Sequence, residues 1–468
     1  MTSIDMLPDD VLLEIFDFYV NKDKDGYFKS EKEAWQTLVH VCRRWRSVVF
    51  RSPRRLKLRL VCTSETPARD TLDLWPSLPL VILDSNLTAD DEINEILAVL
   101  ERSDRVVGIN LIHVDVDGSN LETVLAAMQV PFPELTHLSL WLQKGMESDL
   151  PDSLLGGSAP RLESLWLDRI SFSGLPKFLL SATHLVTLRL HNIPHSGYIS
   201  PEVIVAVLSM LTSLESLSLG FKSPLSRPDW ANRRLPPPTR SVLPVLVSFR
   251  FQGVCEYLED VVTRINAPRV NELDITLFNQ ILFDMPQFTQ FVGRSPAFET
   301  LEEAHVVFED DAAEVTFLSQ TSGSGILMKI PCVELDWQVS SMEQVCNLCL
   351  SPISALADLY IYEHPNCPPV WQDNIENTLW LELLQPFIGV TNLSLSEKFA
   401  SLIIPALQEL TGGRTTEVLP TLQNIFLQEH RPSETLQAGI QQFAATRQVT
   451  GHPIAVSRWD NSEDKEHA

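Results

Sequence analysis

Leu135-Thr136-His137-Leu138-Ser139-Leu140 is followed by a second copy of the same spacing, Leu162-Glu163-Ser164-Leu165-Trp166-Leu167. The spacing returns at Leu185/Leu188/Leu190 and Leu214/Leu217/Leu219. Looser copies stand at Leu246/Phe249/Phe251, Val270/Leu273/Ile275, Phe298/Leu301, Leu356/Leu359/Ile361, Val390/Leu393/Leu395 and Leu422/Ile425/Leu427, with an earlier one at Val106/Ile109/Leu111. From Leu135 to Val270 the start-to-start intervals are 27, 23, 29, 32 and 24 residues. Alternation places the leucines on one face of a strand, and each interval leaves room for one helix. Pro133, Pro160, Pro244, Pro268, Pro296 and Pro420 each stand two residues before a copy, where proline ends a helix and opens an extended segment.

The segments between the copies support this. Pro201–Leu208, Tyr257–Val262, Met342–Leu350 and Asn374–Leu384 each carry an apolar stripe at helical spacing. The expected class is α/β (α+β overall). The pattern resembles leucine-rich-repeat proteins from about Val106 to Leu427, and that resemblance implies an irregular solenoid of parallel strands and helices. The asparagine or cysteine that the family places after the strand is mostly absent; Ile170 and Ile193 stand there. Copies blur across Phe298–Ser354, where a mixed α/β domain with a curved sheet is the alternative and Thr321–Gly325 reads as a flexible loop. Arg227–Pro244, rich in proline, reads as an inserted loop.

The amino-terminal residues 5–53 follow another pattern. Leu7-Pro8-Asp9-Asp10 is a helix start, with the aspartates at the positive end of the helix dipole. Val11, Leu12, Ile15, Phe16 and Tyr19 form one apolar stripe, and Trp35, Leu38, Val41, Cys42, Trp45, Val48 and Val49 form a second, ended by Ser52-Pro53. Together these stretches resemble the F-box. The resemblance implies docking on a Skp-type adaptor, and through it a cullin–RING assembly, by Leu7, Pro8, Val11, Ile15, Phe16, Leu38, Val41 and Trp45. The chain would then be a non-catalytic substrate-recognition subunit of a ubiquitin ligase, holding an unidentified target protein on its repeats. The alternative is a leucine-rich-repeat scaffold whose hairpin caps the solenoid without engaging a ligase. The expected division is 1–60 F-box-like, 61–105 connector, 106–455 repeats and 456–468 disordered acidic tail.

Other features narrow the chemistry. Asn21–Lys32 imitates a calcium loop, but Lys32 stands where the bidentate glutamate belongs, so a polar loop is expected. A net charge of -25 opposes nucleic-acid binding, and no apolar run approaches the roughly 18 residues of a membrane span. Cytoplasm or nucleus is the expected location. Arg43 to Arg59 is a local basic cluster, read as a solvated helix face or a surface for an acidic partner. Cys346-x-x-Cys349, near Cys332, His364 and Cys367, is the one metal-like constellation; its place in a helical stripe favours core packing. No phosphate loop or nucleophile elbow is present, so no enzyme, metal or cofactor is expected. The alternate strand positions would form a concave binding face bearing Trp141, Trp166, Arg189, Arg250, Asp274 and Tyr360, residue types common in binding hot spots; the alternative is that Trp141 and Trp166 pack under an inserted loop such as Arg227–Pro244.

Overall fold

The computed structural model describes residues 7–20, 34–53, 55–63, 72–84, 90–114, 119–143, 145–228, 239–278, 281–349, 356–372, 375–410, 414, 416–428 and 434–458. The calcium-like stretch and the residues after Arg458 lie outside these. Two compact units are present, one of residues 1–199 with 210–214, the other of residues 200–209 with 215–468. Among the described residues, no helix is long and apolar enough to cross a membrane.

The first unit opens with helices α1 (Asp9–Val20), α2 (Ala34–Val41) and α3 (Arg43–Arg51). Strands β1 (Leu60–Cys62), β2 (Leu80–Asp84), β3 (Val106–Val114), β4 (His137–Leu142), β5 (Ser164–Asp168) and β6 (Thr187–Ile193) then pair in parallel, each with the next. The register stacks like on like: Ile109 opposes Leu138, Leu138 opposes Leu165, and Leu165 opposes Leu188. All four side chains are buried, each contributing about 1.5–3 kcal/mol of hydrophobic stabilisation. The ladder therefore begins at Leu60, earlier than the leucine pattern shows, because β1 and β2 are short apolar runs without the leucine motif. Residues 61–105 contribute strands of the sheet and are more than a connector.

At the end of β5 the chain turns left-handed at Arg169 (φ 61°), and at the matching place in β6 at Asn192 (φ 49°). The buried Asp168 carboxylate accepts from both, 3.0 Å from Arg169 and 3.0 Å from Asn192 Nδ2. Those bonds hold two residues in a conformation that side chains ordinarily avoid.

The second unit contains β7 (Ser216–Phe221), β8 (Ser248–Gly253), β9 (Glu272–Leu277), β10 (Glu303–Phe308), β11 (Ala312–Leu318), β12 (Gly325–Pro331), β13 (Asp358–Glu363), β14 (Asn392–Leu395), β15 (Asn424–Leu427) and β16 (Ala455–Arg458). Their order in the sheet is β7-β8-β9-β12-β11-β10-β13-β14-β15-β16. Helices Pro201–Leu208, Cys255–Arg264, Pro286–Val292, Leu335–Cys349, Asn377–Leu384, Glu397–Gln408 and Glu434–Val449 stack in chain order as a second layer. Every later copy of the leucine spacing runs into a strand with a parallel neighbour, and the strand after Phe298/Leu301 has an antiparallel neighbour as well.

Phe298–Ser354 departs from the repeat. There β10, β11 and β12 form an antiparallel meander, while β12 runs parallel to β9 and β10 parallel to β13. Helix Leu335–Cys349 packs across β11 and β12. Thr321–Gly325 is the β11–β12 turn, with Gly323 at φ +66° and the Ser319 N–H donating to the Ser324 carbonyl at 3.0 Å. At the carboxyl end, β16 pairs with β15, so residues 456–458 belong to the sheet and not to the acidic tail.

Candidate interaction surfaces

The helical hairpin is built as follows. Pro8 stands just before α1, and its carbonyl accepts from the Leu12 N–H at 3.1 Å. Leu12, Leu13 and Phe16 turn inward, and the Phe16 ring lies 4.8 Å from that of Trp45. The second apolar stripe is two helices, a correction to its reading as one. Cys42 is extended (φ -157°, ψ 169°) and caps α3, its Sγ accepting from the Trp45 N–H at 3.4 Å. This break turns Val41 and Cys42 out to solvent; Val41 is 56% exposed.

Part of the basic cluster serves this assembly. Arg44 pairs with Asp9 at 2.8 Å, Arg55 pairs with Glu14, and Arg46 Nε donates to the Val39 carbonyl at 3.0 Å. Such half-exposed pairs contribute about 0–1 kcal/mol each, so their role is mainly to fix the angle of α1 on α3.

Of the adaptor-type residues, Phe16 and Leu38 are buried, Leu7 and Trp45 are half-buried, and Pro8, Val11, Ile15 and Val41 are exposed. The exposed members of α1 continue into Phe18, 73% exposed, and Tyr19, giving the row Val11, Ile15, Phe18 and Tyr19 along one helix face. Phe18 was missed in the sequence reading; its spacing of seven from Val11 is the signal that would have found it. Trp35 has an internal partner instead. It is fully buried, its Nε1 donates to the Arg59 carbonyl at 3.1 Å, and its ring meets that of Trp75 at 5.3 Å.

On the open face of the first unit's sheet, Ser139, Trp166 and Arg189 share one cross-strand row, and Trp141, Asp168 and His191 share the next. Trp141 and Trp166 meet edge-on at 4.8 Å, His191 follows at 5.9 Å, and the Arg189 guanidinium lies 5.3 Å over Trp166. Trp141, Trp166 and Arg189 thus form one half-buried aromatic–cationic cluster. Burial of His137, at the start of β4, lowers its imidazole pKa.

In the second unit one row runs Arg250, Asp274, Leu327, Thr316, His305, Tyr360, Ser394, Phe426. Arg250 and Tyr360 are five strands apart, roughly 24 Å. Arg250 is held by Glu272 at 2.8 Å and faces Asp274 at 3.7 Å, so its charge is already answered. Burial raises the Asp274 carboxyl above its usual range against the pull of Arg250. Tyr360 stacks on His305, centroids 4.4 Å apart at 11°. His305 escaped the sequence reading because the meander carries no leucine spacing. At the row's edge, Asn392 donates to Asp358 at 2.6 Å and accepts from Asn424 at 2.8 Å, a ladder across β13, β14 and β15.

The cysteines separate. Cys346 is buried in helix Leu335–Cys349, and burial pushes its thiol pKa up. Cys332 is buried as well. His364 and Cys367 stand together beside Glu309.

No family model matches the chain, and no curated protein matches it. Among solved structures, the leucine-rich repeat-containing protein LegL7 from Legionella pneumophila is similar over 83% of this chain and 98% of its own, at 12% identity and a TM-score of 0.26. A score of that size fixes no structural equivalence, and the repeat architecture rests on the strand register described above.

Proposed function

We propose that the chain is the substrate-recognition subunit of a Skp–cullin–RING ubiquitin ligase, with the amino-terminal helices docking on the adaptor and the sheet faces holding a target protein. The observation that carries this reading is the solvent-facing row Val11, Ile15, Phe18 and Tyr19. It lies on a hairpin whose inner face is already filled by Leu12, Phe16 and Trp45. Covering a large aliphatic or aromatic side chain is worth about 1.5–3 kcal/mol, so an uncovered row favours a partner. The subunit contributes no nucleophile. It raises the effective concentration of a target lysine near a charged conjugating enzyme, in cytoplasm or nucleus. The test is co-purification of the adaptor with wild type, with Leu7→Ala/Pro8→Ala and with Ile15→Asp/Phe18→Asp. Loss of adaptor in both variants supports the reading, and a wild type that brings down no adaptor ends it.

One contact favours the second reading, a repeat scaffold capped by its hairpin. Trp35 buries itself against Trp75 and Arg59, which belong to the chain leading into the sheet. Deleting residues 1–53, which leaves β1 whole, separates the two: a cap is needed for the sheet to resist proteolysis, and an adaptor-docking module is not.

A further inference from the structure

We propose that Glu309, His364 and Cys367 form a binding site for a divalent transition metal of the zinc class, tying the β10–β11 turn to the loop that leaves β13. Strand register brings the first two of these residues side by side. β10 and β13 run parallel, and their last pair is Phe308 with Glu363. The next residue of each strand is therefore Glu309 on one side and His364 on the other. Two backbone bonds carry the pairing past the strand ends. The His364 N–H donates to the Phe308 carbonyl at 3.0 Å, and the Asp310 N–H donates to the Cys367 carbonyl at 3.0 Å.

The His364-Pro365-Asn366-Cys367 turn then brings the thiol back over the imidazole. Cys367 Sγ lies 2.9 Å from His364 Nδ1, and the Asn366 N–H donates to the same nitrogen at 3.3 Å. With the Asn366 N–H donating to it, Nδ1 carries a lone pair, and the Cys367 sulfur is its side-chain neighbour. One ligand-type atom from each of Glu309, His364 and Cys367 lies within 4.8 Å of the other two. A metal ion would take the place of the proton shared by sulfur and nitrogen. Zinc bonds sulfur at about 2.3 Å and nitrogen at about 2.0 Å, and a tetrahedral centre sets those atoms roughly 3.5 Å apart. The pair would need to open by only about 0.6 Å, well within the freedom of a loop.

Charge favours a cation at this place. Glu309, Asp310 and Asp311 all bear on Cys367, and Glu314 joins Glu309 and Asp311 around Lys329. One ammonium, 2.6 Å from Glu309 Oε2, answers that group of carboxylates. Glu309 keeps its second oxygen for a ligand. Mixed sulfur, nitrogen and oxygen donors select zinc-like ions over calcium or magnesium, which take oxygen alone. Three protein ligands leave a fourth position open.

The test uses full-length protein stripped with a chelator and titrated with cobalt(II) alone, then with zinc. A thiolate-to-cobalt absorption band saturating at one equivalent, displaced by zinc, is expected. Zinc should also slow alkylation of Cys367 at least about tenfold, read by mass spectrometry. Cys367→Ser and His364→Ala should each weaken cobalt binding at least about tenfold, with far-UV circular dichroism unchanged. Absence of a saturable band, wild-type affinity in both variants, or equal Cys367 alkylation with and without zinc would overturn the site. Should a variant fail to fold, the alkylation comparison on the wild type decides. The outcome does not depend on whether the chain serves a ligase.

Discussion

The rings of Phe16 and Trp45, 4.8 Å apart, join α1 to α3 and fix which face of α1 looks outward. Phe16 belongs to the structure of the hairpin, and Phe18, two residues on, belongs to its surface. Phe16→Ala should therefore cost about 3–5 kcal/mol of local stability and loosen the hairpin to proteolysis. Phe18→Ala should leave the melt within about 0.5 kcal/mol of wild type and, under the proposed docking, weaken only adaptor capture. Thermal melts run beside the co-purification assay check both.

Leu188 and Arg189 are neighbours on opposite faces of β6. Leu188 is completely buried, so Leu188→Ala should lower the urea-unfolding free energy by about 2–5 kcal/mol. Arg189→Ala removes a cation over the Trp166 ring, worth about 0.5–1 kcal/mol at a partly exposed site. If the aromatic cluster is a target contact, its loss should show in target binding far more than in unfolding.

Cys62 and Cys42 give a contrast in thiol chemistry. Burial pushes the Cys62 thiol up to about 11, against an opposing effect of Arg105. At pH 8 only about one part in a thousand is thiolate, so native Cys62 should stay unlabelled while exposed Cys42 reacts. Mass mapping after a short pulse of a disulfide reagent checks this. Labelling of Cys62 at the rate of Cys42 would contradict the burial.

Burial raises the Glu314 carboxyl above 4.5, with Glu309 and Asp274 adding to the effect and Lys329 opposing it. Between 4.5 and the raised value, the folded chain holds a proton that the unfolded chain releases. Stability from this group therefore grows as pH falls through that window, and above it the charged carboxyl is a cost. Glu314→Gln should raise the urea midpoint at pH 7 and flatten its change as pH falls toward 4.5.

The parallel strands were legible because Leu138, Leu165 and Leu188 repeat one spacing and all point inward. β1 and β2 were harder, since Leu60-Val61-Cys62 and Leu80–Leu83 are short apolar runs that fit many contexts. The meander was illegible for a different reason. Alternation in Ala313, Val315 and Phe317 identifies a strand without giving its direction, and Glu309-Asp310-Asp311 carries none of the glycine or asparagine signals of a tight hairpin turn. The break at Cys42 was hidden because Arg43-Arg44-Trp45-Arg46 continues the helical pattern on both sides. Tyr360 could be placed on the open face from its strand alone. Its partner His305 could not, because that contact depends on a strand order in which β10 lies beside β13.

The meander also bears on how the second unit assembles. A run of like repeats can zip from one strand to the next, since each finds its neighbour a short way along the chain. At β9 that process stalls. The strand that pairs with Leu273 starts at Gly325, after β10 and β11 have both been made. β13, in turn, must find β10 from across the whole excursion. Closure of these two long loops is slow relative to local pairing. On this account the sheet from β9 to β13 closes as one late cooperative block, and β7–β8 and β14–β15 can form ahead of it on either side.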